Sequence, residues 1–385
     1  MIAFLRLVLA MAVLGASLLA VIPAPTYNLW KLAVAVTEWG HLLAVIALVP
    51  LLPGWRRMRM GRVAGALSIF AIGLSLTSLV RAHLISRTLD KRLVTAFGAS
   101  TPRTLTGATP LTKPLSFGGL MSGPQSPAVN VTTYVYAMRG NKPMELDLYR
   151  RSSTPVFSPV VVMIHGGSWQ GGSRGDLAAL NYYLAARGYI VASLAYRFAP
   201  AHPHPAATDD VNTALAYLKV NGARLGLDTT RTVLIGRSAG AQLALLSAYT
   251  LNDPAIRGVV SLYGPSDQVF GYVNPTNPRV LNSTQILEQF LQGTPATARN
   301  AYASSSPVNF VSSSTVPSLL IHGTRDELVF SRQSELLAER LAQARRPHLY
   351  LELPWATHGC DYNFSGPCGQ LSTYAIERFL AAVIK

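Results

Sequence analysis

Cysteine is scarce: the 385-residue chain has two, Cys360 and Cys368. Two cannot build the multi-bridge framework of a small secreted scaffold, nor a four-cysteine metal site. Charge is scarce as well, at 13% of residues against a usual ~25%. Acidic residues are in shortest supply, 18 against 33 lysines and arginines, which leaves a net +15. That excess does not describe a nucleic-acid-binding face. Residues 1–92 hold ten Lys/Arg and two Asp/Glu, a surplus of 8, and the other 7 is spread over the rest of the chain. No internal repeat is present.

Apolar residues are plentiful, at 49% with a mean hydropathy of +0.27, and they are concentrated. Three long runs fill the first ninety residues: Met1–Ile22, roughly Leu29–Leu52, and Val63–Val80. Each approaches the ~20 residues that carry a helix across a bilayer core. A cleaved leader does not account for the first, because another apolar run follows Ala24 almost at once. Val63–Val80 offers no charged stripe to a soluble bundle. Three transmembrane helices over residues 1–92 are therefore expected. Arg56, Arg57, Arg59 and Arg62 crowd the short loop between the second and third runs, where cytoplasmic loops carry their positive charge. Arg81, Arg87, Lys91 and Arg92 pull the other way but are dispersed. The orientation expected is N-terminus inside and everything after Val80 outside, as in an integral protein of a bacterial plasma or inner membrane.

Residues 93–128 are rich in Gly, Pro, Ser and Thr and read as a linker. As a flexible coil it would span about 30 Å. From 129 to 385 the texture changes. VNVTTYVY and MELDLY alternate around Arg139-Gly140-Asn141, which predicts a hairpin. VVVMIH, YIVASLAY, TVLIG, GVVSLYG, SLLIHG and LYLELP then read as buried parallel strands. Helical patterns lie between them at Asp176–Arg187, Thr208–Val220, Ala239–Thr250, Arg332–Ala344 and Leu371–Ile384. The alternation predicts an α/β domain with a doubly wound, mostly parallel sheet. Residues 265–312 interrupt it with an insertion of the kind that caps a pocket.

Gly236-Arg237-Ser238-Ala239-Gly240 lies between the strand TVLI and the helix AQLALLSAY. This is the strand–turn–helix setting of a G-x-S-x-G nucleophile elbow. His165-Gly166-Gly167-Ser168-Trp169 follows VVVMI. Glycines there let backbone N–H groups approach a developing oxyanion, so Gly166, Gly167 and Ala239 are the expected donors. His165 reads as structural. An acid and a base should follow the serine in that order. Asp326 in TRDELV and His358 in ATHG do so, each just past a strand end, where catalytic groups collect in open α/β sheets. Ser238, Asp326 and His358 are the expected catalytic triad. Glu327 is the competing acid, and His322 fits the order badly. His202 and His204 have no accompanying ligand pattern, so no metal and no organic cofactor is expected. Trp169 and Arg237 are assigned to the substrate pocket, with Tyr263, Phe270 and Tyr272 as further aromatic candidates.

HGGSWQGG at 165–172, AYRFAPAHPHPAATDDV at 195–211, GRSAGAQLA at 236–244, LIHGTRDELV at 320–329 and THG at 357–359 occur in one order. Together they make residues 130–385 resemble the α/β-hydrolase branch that contains hormone-sensitive-lipase-like carboxylesterases, dienelactone- and feruloyl-esterase-like enzymes and kynurenine formamidase. The resemblance implies an α/β-hydrolase fold, an oxyanion hole at the glycines after His165, and a structural role for Asp210. Two positions depart from it: Ser168 replaces the third glycine, and Arg237 stands where acidic or amide residues are commoner.

The close spacing of Cys360 and Cys368, in a domain placed outside the cytoplasm, predicts a disulfide. Glu38 and His41 lie one helical turn apart in the second run, next to Trp39, and read as interfacial. These readings describe a membrane-anchored serine carboxylesterase, lipase-like, acting through an acyl-enzyme on a small-molecule or lipid-like ester. An amidase or formamidase would use the same groups. A silent α/β-hydrolase binding module is the alternative of another class.

Overall fold

A computed structural model describes residues 1–99, 110–122 and 128–384. Eight strands form one sheet in the order β1-β2-β4-β3-β5-β6-β7-β8. β1 (Val129–Arg139) and β2 (Lys142–Arg151) make the hairpin, turning at Gly140 with φ +58°. β2 runs antiparallel to β4 (Ile190–Leu194). β3 (Ser158–Ile164), β4, β5 (Leu227–Arg237), β6 (Ile256–Leu262), β7 (Ser318–Gly323) and β8 (His348–Leu353) are mutually parallel. All of β3 and β4 is buried, as expected of strands covered by helices on both faces. The helices Ala206–Val220, Ala239–Thr250 and Arg332–Gln343 pack into one core cluster. Ala179–Ala186 and Pro367–Val383 pack into the other. The 265–312 insertion folds as three short helices and a 3-10 turn, from Gln268 to Phe310.

The N-terminal region departs from three spans. Its helices are α1 (Ile2–Leu18), α2 (Tyr27–Glu38), α3 (Gly40–Ile46) and α4 (Arg59–Phe97). Among the described residues only α4 is long and apolar enough to cross a bilayer alone; α1 is apolar but has 17 residues. The second run would count only as a broken span, because it bends by 86° between α2 and the 40–51 segment. The cause of the bend is local. Glu38 is drawn into the α/β domain, where its carboxylate accepts from Cys368 N (3.0 Å) and Trp355 Nε1 (3.3 Å). Gly40 lies so close to Ser75 O of α4 that a Cβ would stand 2.1 Å from it. Glu38 is fully buried, not at a water interface.

The expected linker at 93–128 is partly helix. α4 continues to Phe97, with Leu89 and Leu93 buried in the same cluster as the Pro367–Val383 helix. At ~1.5–3 kcal/mol per buried leucine, this docking fastens the domain to α4. Arg81 and Arg92 add hydrogen bonds to Pro354 O (2.5 Å) and Tyr350 O (2.7 Å). Segment 110–122 also lies on the domain, with Leu111 N donating to Glu377 and Ser116 N to Gln370. The rest of the linker, 100–109 and 123–127, falls outside the described residues.

Candidate active site

Ser238 follows β5 directly and caps the helix Ala239–Thr250 with φ +53° and ψ −123°, a conformation that L residues rarely hold. The flanking glycines make that turn possible. A Cβ on Gly236 would stand 2.2 Å from Gly240 O, and one on Gly240 would stand 2.2 Å from His165 O. The elbow thus closes directly on the end of β3, which presents the serine hydroxyl above the sheet.

The three residues expected to act together are together. His358 Nε2 lies 2.9 Å from Ser238 Oγ, and His358 Nδ1 lies 2.7 Å from Asp326 Oδ2. The network assigns the tautomer: Nδ1–H donates to the carboxylate, and Nε2 accepts from the hydroxyl. Asp326 also accepts from the backbone N–H groups of Leu328 (2.9 Å) and Val329 (2.8 Å). Burial would raise its pKa, but the two neighbouring histidines outweigh that and hold the carboxyl well below the usual range. The second of them, His322, is fully buried and was read only as a competitor. Its Nε2–H is shared between Asp326 Oδ2 (3.1 Å) and Val329 O (2.9 Å), while Nδ1 accepts from Ser334 (2.7 Å). It therefore supports Asp326 at the same carboxylate oxygen that His358 engages. Glu327, the rival acid, turns outward and accepts from Ala24 N (2.8 Å).

Arg237 does not line the pocket as expected. It is buried, and its Nε donates to Asp361 Oδ2 at 2.6 Å. Asp361 also accepts from Tyr263 OH at 2.5 Å. The Tyr263 ring meets the His358 imidazole edge-on at 4.6 Å between centroids. Burial works against both charged forms. The Asp361 charge nonetheless holds the Arg237 pKa above its ordinary value, and Asp361 adds to burial in raising that of Tyr263. This ion pair joins the residue before the serine to the loop carrying the histidine. Its spacing of 124 residues left no local signal in the sequence. Cys360 and Cys368 are disulfide-bonded across the same loop, with Cα atoms 5.7 Å apart.

Gly167 has φ +118°, and a Cβ there would meet Gly171 O at 2.1 Å. Its strict need for glycine fits the expected role. Gly166 lies under the elbow, where a Cβ would face Arg237 O at 3.0 Å and Ser238 Cβ at 3.2 Å. Ser168, unassigned from sequence, lines the cavity beside Ser238 and Ala239. His165 is buried and stacked on Tyr196 at 4.3 Å, its Nδ1 bonded to Gly166 O (2.7 Å), a brace for the turn. Asp210 is wholly buried between Arg139 (2.9 Å) and Arg197 (2.7 Å). His204 contacts Ser304. Among the described residues no cluster has the makings of a metal site.

A cavity opens above Ser238 and His358. Its walls include Trp169, Phe270, Ile286, Leu287, Leu328 and Phe330. Trp169, one of the expected pocket residues, is held by a bond from Nε1 to Gln242 (2.9 Å) and stacks on Phe290 at 4.2 Å. Tyr272 turns instead to Glu288 (2.7 Å).

Residues 146–341, just over half of the chain, match the family described as BD-FAE. The chain belongs to this family. The BD-FAE match takes in the turn after β3, the elbow and Asp326, and stops short of His358. Among curated relatives, Esterase LipC of Mycobacterium tuberculosis is 33% identical over 270 residues, 65% of this chain and 66% of LipC. Probable carboxylic ester hydrolase LipM of the same organism is 32% identical over 254 residues, 62% of this chain and 58% of LipM. The chain thus spans under two thirds of either relative. Esterase LipW from Mycobacterium marinum superposes with a TM-score of 0.55 at 24% identity, covering 78% of this chain and 89% of LipW. A fungal esterase from Rhizomucor miehei gives 0.56 at 19% identity, covering 68% and 85%. These structural likenesses give the fold, that of an α/β-hydrolase.

Proposed function

We propose that this protein is a membrane-anchored serine carboxylesterase. The observation that carries the reading is the unbroken hydrogen-bonded line Ser238–His358–Asp326 at the floor of an apolar cavity. Membership of BD-FAE and likeness to esterases support ester over amide bonds. In the cycle, His358 Nε2 takes the Ser238 proton as Oγ attacks the ester carbonyl. Asp326 keeps the imidazole oriented and stabilises its charged form. Backbone N–H groups of Gly167 and Ala239, with Gly166 or Ser168 beside them, receive the oxyanion. His358 then returns the proton to the leaving alkoxide, and the acyl group stays on Oγ. Water, deprotonated by the same histidine, releases the acid and regenerates the serine. Every proton is carried by the chain's own residues, and the reaction has no step that calls for a cofactor.

The anchor is α4 with α1 beside it, the two joined by a Ser17–Ser75 hydrogen bond of 2.8 Å. Arg6, bonded to Pro53 O, gathers with the 56–62 arginines at one end of these helices. That end is the cytoplasmic one, and the hydrolase domain, with its disulfide, faces the other side. The decisive experiment is labelling by a fluorophosphonate together with hydrolysis of an aryl acetate. Both should be present in the wild type and absent in Ser238→Ala. Turnover surviving in that variant, or preference for an N-formyl amide, would overturn the reading.

A further inference from the structure

The bend after Glu38 gives α2 a role that a membrane span could not have. The segment leading into α2 is fixed at the cavity's rim: Ala24 N donates to Glu327 (2.8 Å), Asn277 Nδ2 to Pro25 O (3.3 Å), and Tyr27 N to Arg279 O (3.0 Å). Those partners alternate along the chain with cavity-lining Thr276, Leu281 and Leu328. The far end of α2 is fixed to the loop of the histidine, through Glu38 to Cys368, Trp355 and Asn363. Helix α2 therefore lies across the face of the hydrolase domain, beside the mouth of the site.

Its outward surface is not that of a solvated helix. Tyr27, Leu29 and Leu32 of α2 are exposed, as are Val21 and Ile22 in the segment before it. Tyr27 stacks on Trp30 at 5.3 Å, and Lys31 stands over the Tyr27 ring at 4.5 Å. An exposed aliphatic face with Tyr, Trp and Lys is the signature of a helix lying in a lipid–water interface. The anchor helices set the same level. Exposed apolar residues of α4 run through Ile69, Phe70 and Val80 to Leu84, and the first polar contact to the domain, at Arg81, falls at the end of that stretch. Ser75 touches both Ser17 near the end of α1 and Gly40 just past α2, so α2 sits at this boundary. The cap contributes Val273 and the Asp326 loop Phe330, both exposed.

Resting on the esterase reading above, we infer that the site takes its substrate from the bilayer. The substrate is a carboxylic ester whose long acyl or alkyl chain resides in the outer leaflet, and it passes between α2 and the cap into the apolar cavity. Ser238 then acts on an ester group that remains at the level of the headgroups.

The test uses the full-length protein in phosphatidylcholine vesicles, with p-nitrophenyl palmitate in the same vesicles and p-nitrophenyl acetate in the buffer. Adding phospholipid at constant total palmitate ester dilutes the ester within the surface. The palmitate rate should fall in proportion to its surface fraction, about tenfold for tenfold dilution, while the acetate rate stays level. Leu29 and Leu32 line no part of the cavity. The double variant Leu29→Asp/Leu32→Asp should lose at least tenfold on palmitate and keep acetate turnover, which also reports that it is folded. If that variant loses acetate turnover as well, the dilution series on the wild type decides. Palmitate turnover that is absent, or indifferent to surface dilution, alongside Ser238-dependent acetate turnover would overturn delivery from the bilayer and leave the esterase reading standing. Absence of Ser238-dependent acetate turnover would fall on the esterase reading itself.

Discussion

Replacing Asp361 by alanine isolates what the Arg237–Asp361 pair does for catalysis. Both side chains are nearly sealed, at 7% and 6% exposure, and their closest atoms are 2.6 Å apart. Removing the carboxylate strands a guanidinium that cannot lose its proton at any pH the fold survives, and it strands the Tyr263 hydroxyl as well. Breaking a buried pair from one side costs about 3–5 kcal/mol. At ~2–4 °C per kcal/mol for a domain of this size, the thermal midpoint should drop on the order of 10 °C. The rate effect is separate. Arg237 precedes Ser238, and Asp361 follows His358 by three residues, so the pair ties the two loops together. The assay is thermal unfolding and aryl-acetate kinetics on Asp361→Ala, Arg237→Met, and a double variant carrying Arg237→Met with Asp361→Leu. Well-packed apolar replacements of buried pairs are often neutral in stability. The double variant should therefore regain most of the lost midpoint, yet retain a lowered kcat with little change in KM. Restoration of both stability and kcat would refute the positioning role and leave the pair purely structural.

Asp326→Asn should lower kcat by up to about 10⁴-fold, the scale seen when a triad loses its orienting carboxylate. Glu327→Gln, whose carboxylate only receives Ala24 N, should stay within a few-fold of wild type; steady-state kinetics with the outcomes reversed would move the acid to Glu327. Gly167→Ala must displace the turn, since its Cβ would sit 2.1 Å from Gly171 O. A lost oxyanion donor costs about 3 kcal/mol, so kcat should fall by 10²–10³ with KM little changed. The depressed pKa of Asp326 means that its contribution to stability is complete above the ordinary carboxylate value of ~3.9. That contribution disappears as pH falls toward the lower folded value. Acid unfolding followed by circular dichroism should be less steep below pH ~4 in Asp326→Asn, and an identical slope would remove Asp326 from the account.

Much of the catalytic domain was legible because its signals are local. Buried parallel strands read as short apolar runs, and the elbow glycines stand within two residues of Ser238. Asp326 and His358 stood out as candidates because each sits just past a strand and follows the serine in a fixed order. One residue that was misread works at a distance in sequence. Arg237 looked like a pocket residue because its neighbour is the nucleophile, and nothing near it announces a carboxylate at position 361. His322 was set aside by the same rule of order that found His358. That rule concerns the base, and says nothing of a second histidine that also bonds to the acid.

The N-terminal runs were harder for a physical reason. Hydropathy reports how unwelcome a segment is in water, not which apolar surroundings receive it. Residues 29–52 can satisfy that preference in three settings at once: Ala33, Val34 and Val36 against protein, Leu29 and Leu32 outward, and the turns after Gly40 against α4. One continuous run therefore conceals an 86° bend. The mark that could have exposed it was Glu38. A carboxylate in mid-span demands a partner, and the partners are the Trp355 indole, three residues before His358, and the Cys368 amide, ten residues after it. An intramembrane acid read as interfacial is better treated as a question about what it touches. Here the answer places part of an expected span against the hydrolase domain, bonded to the segments on either side of His358.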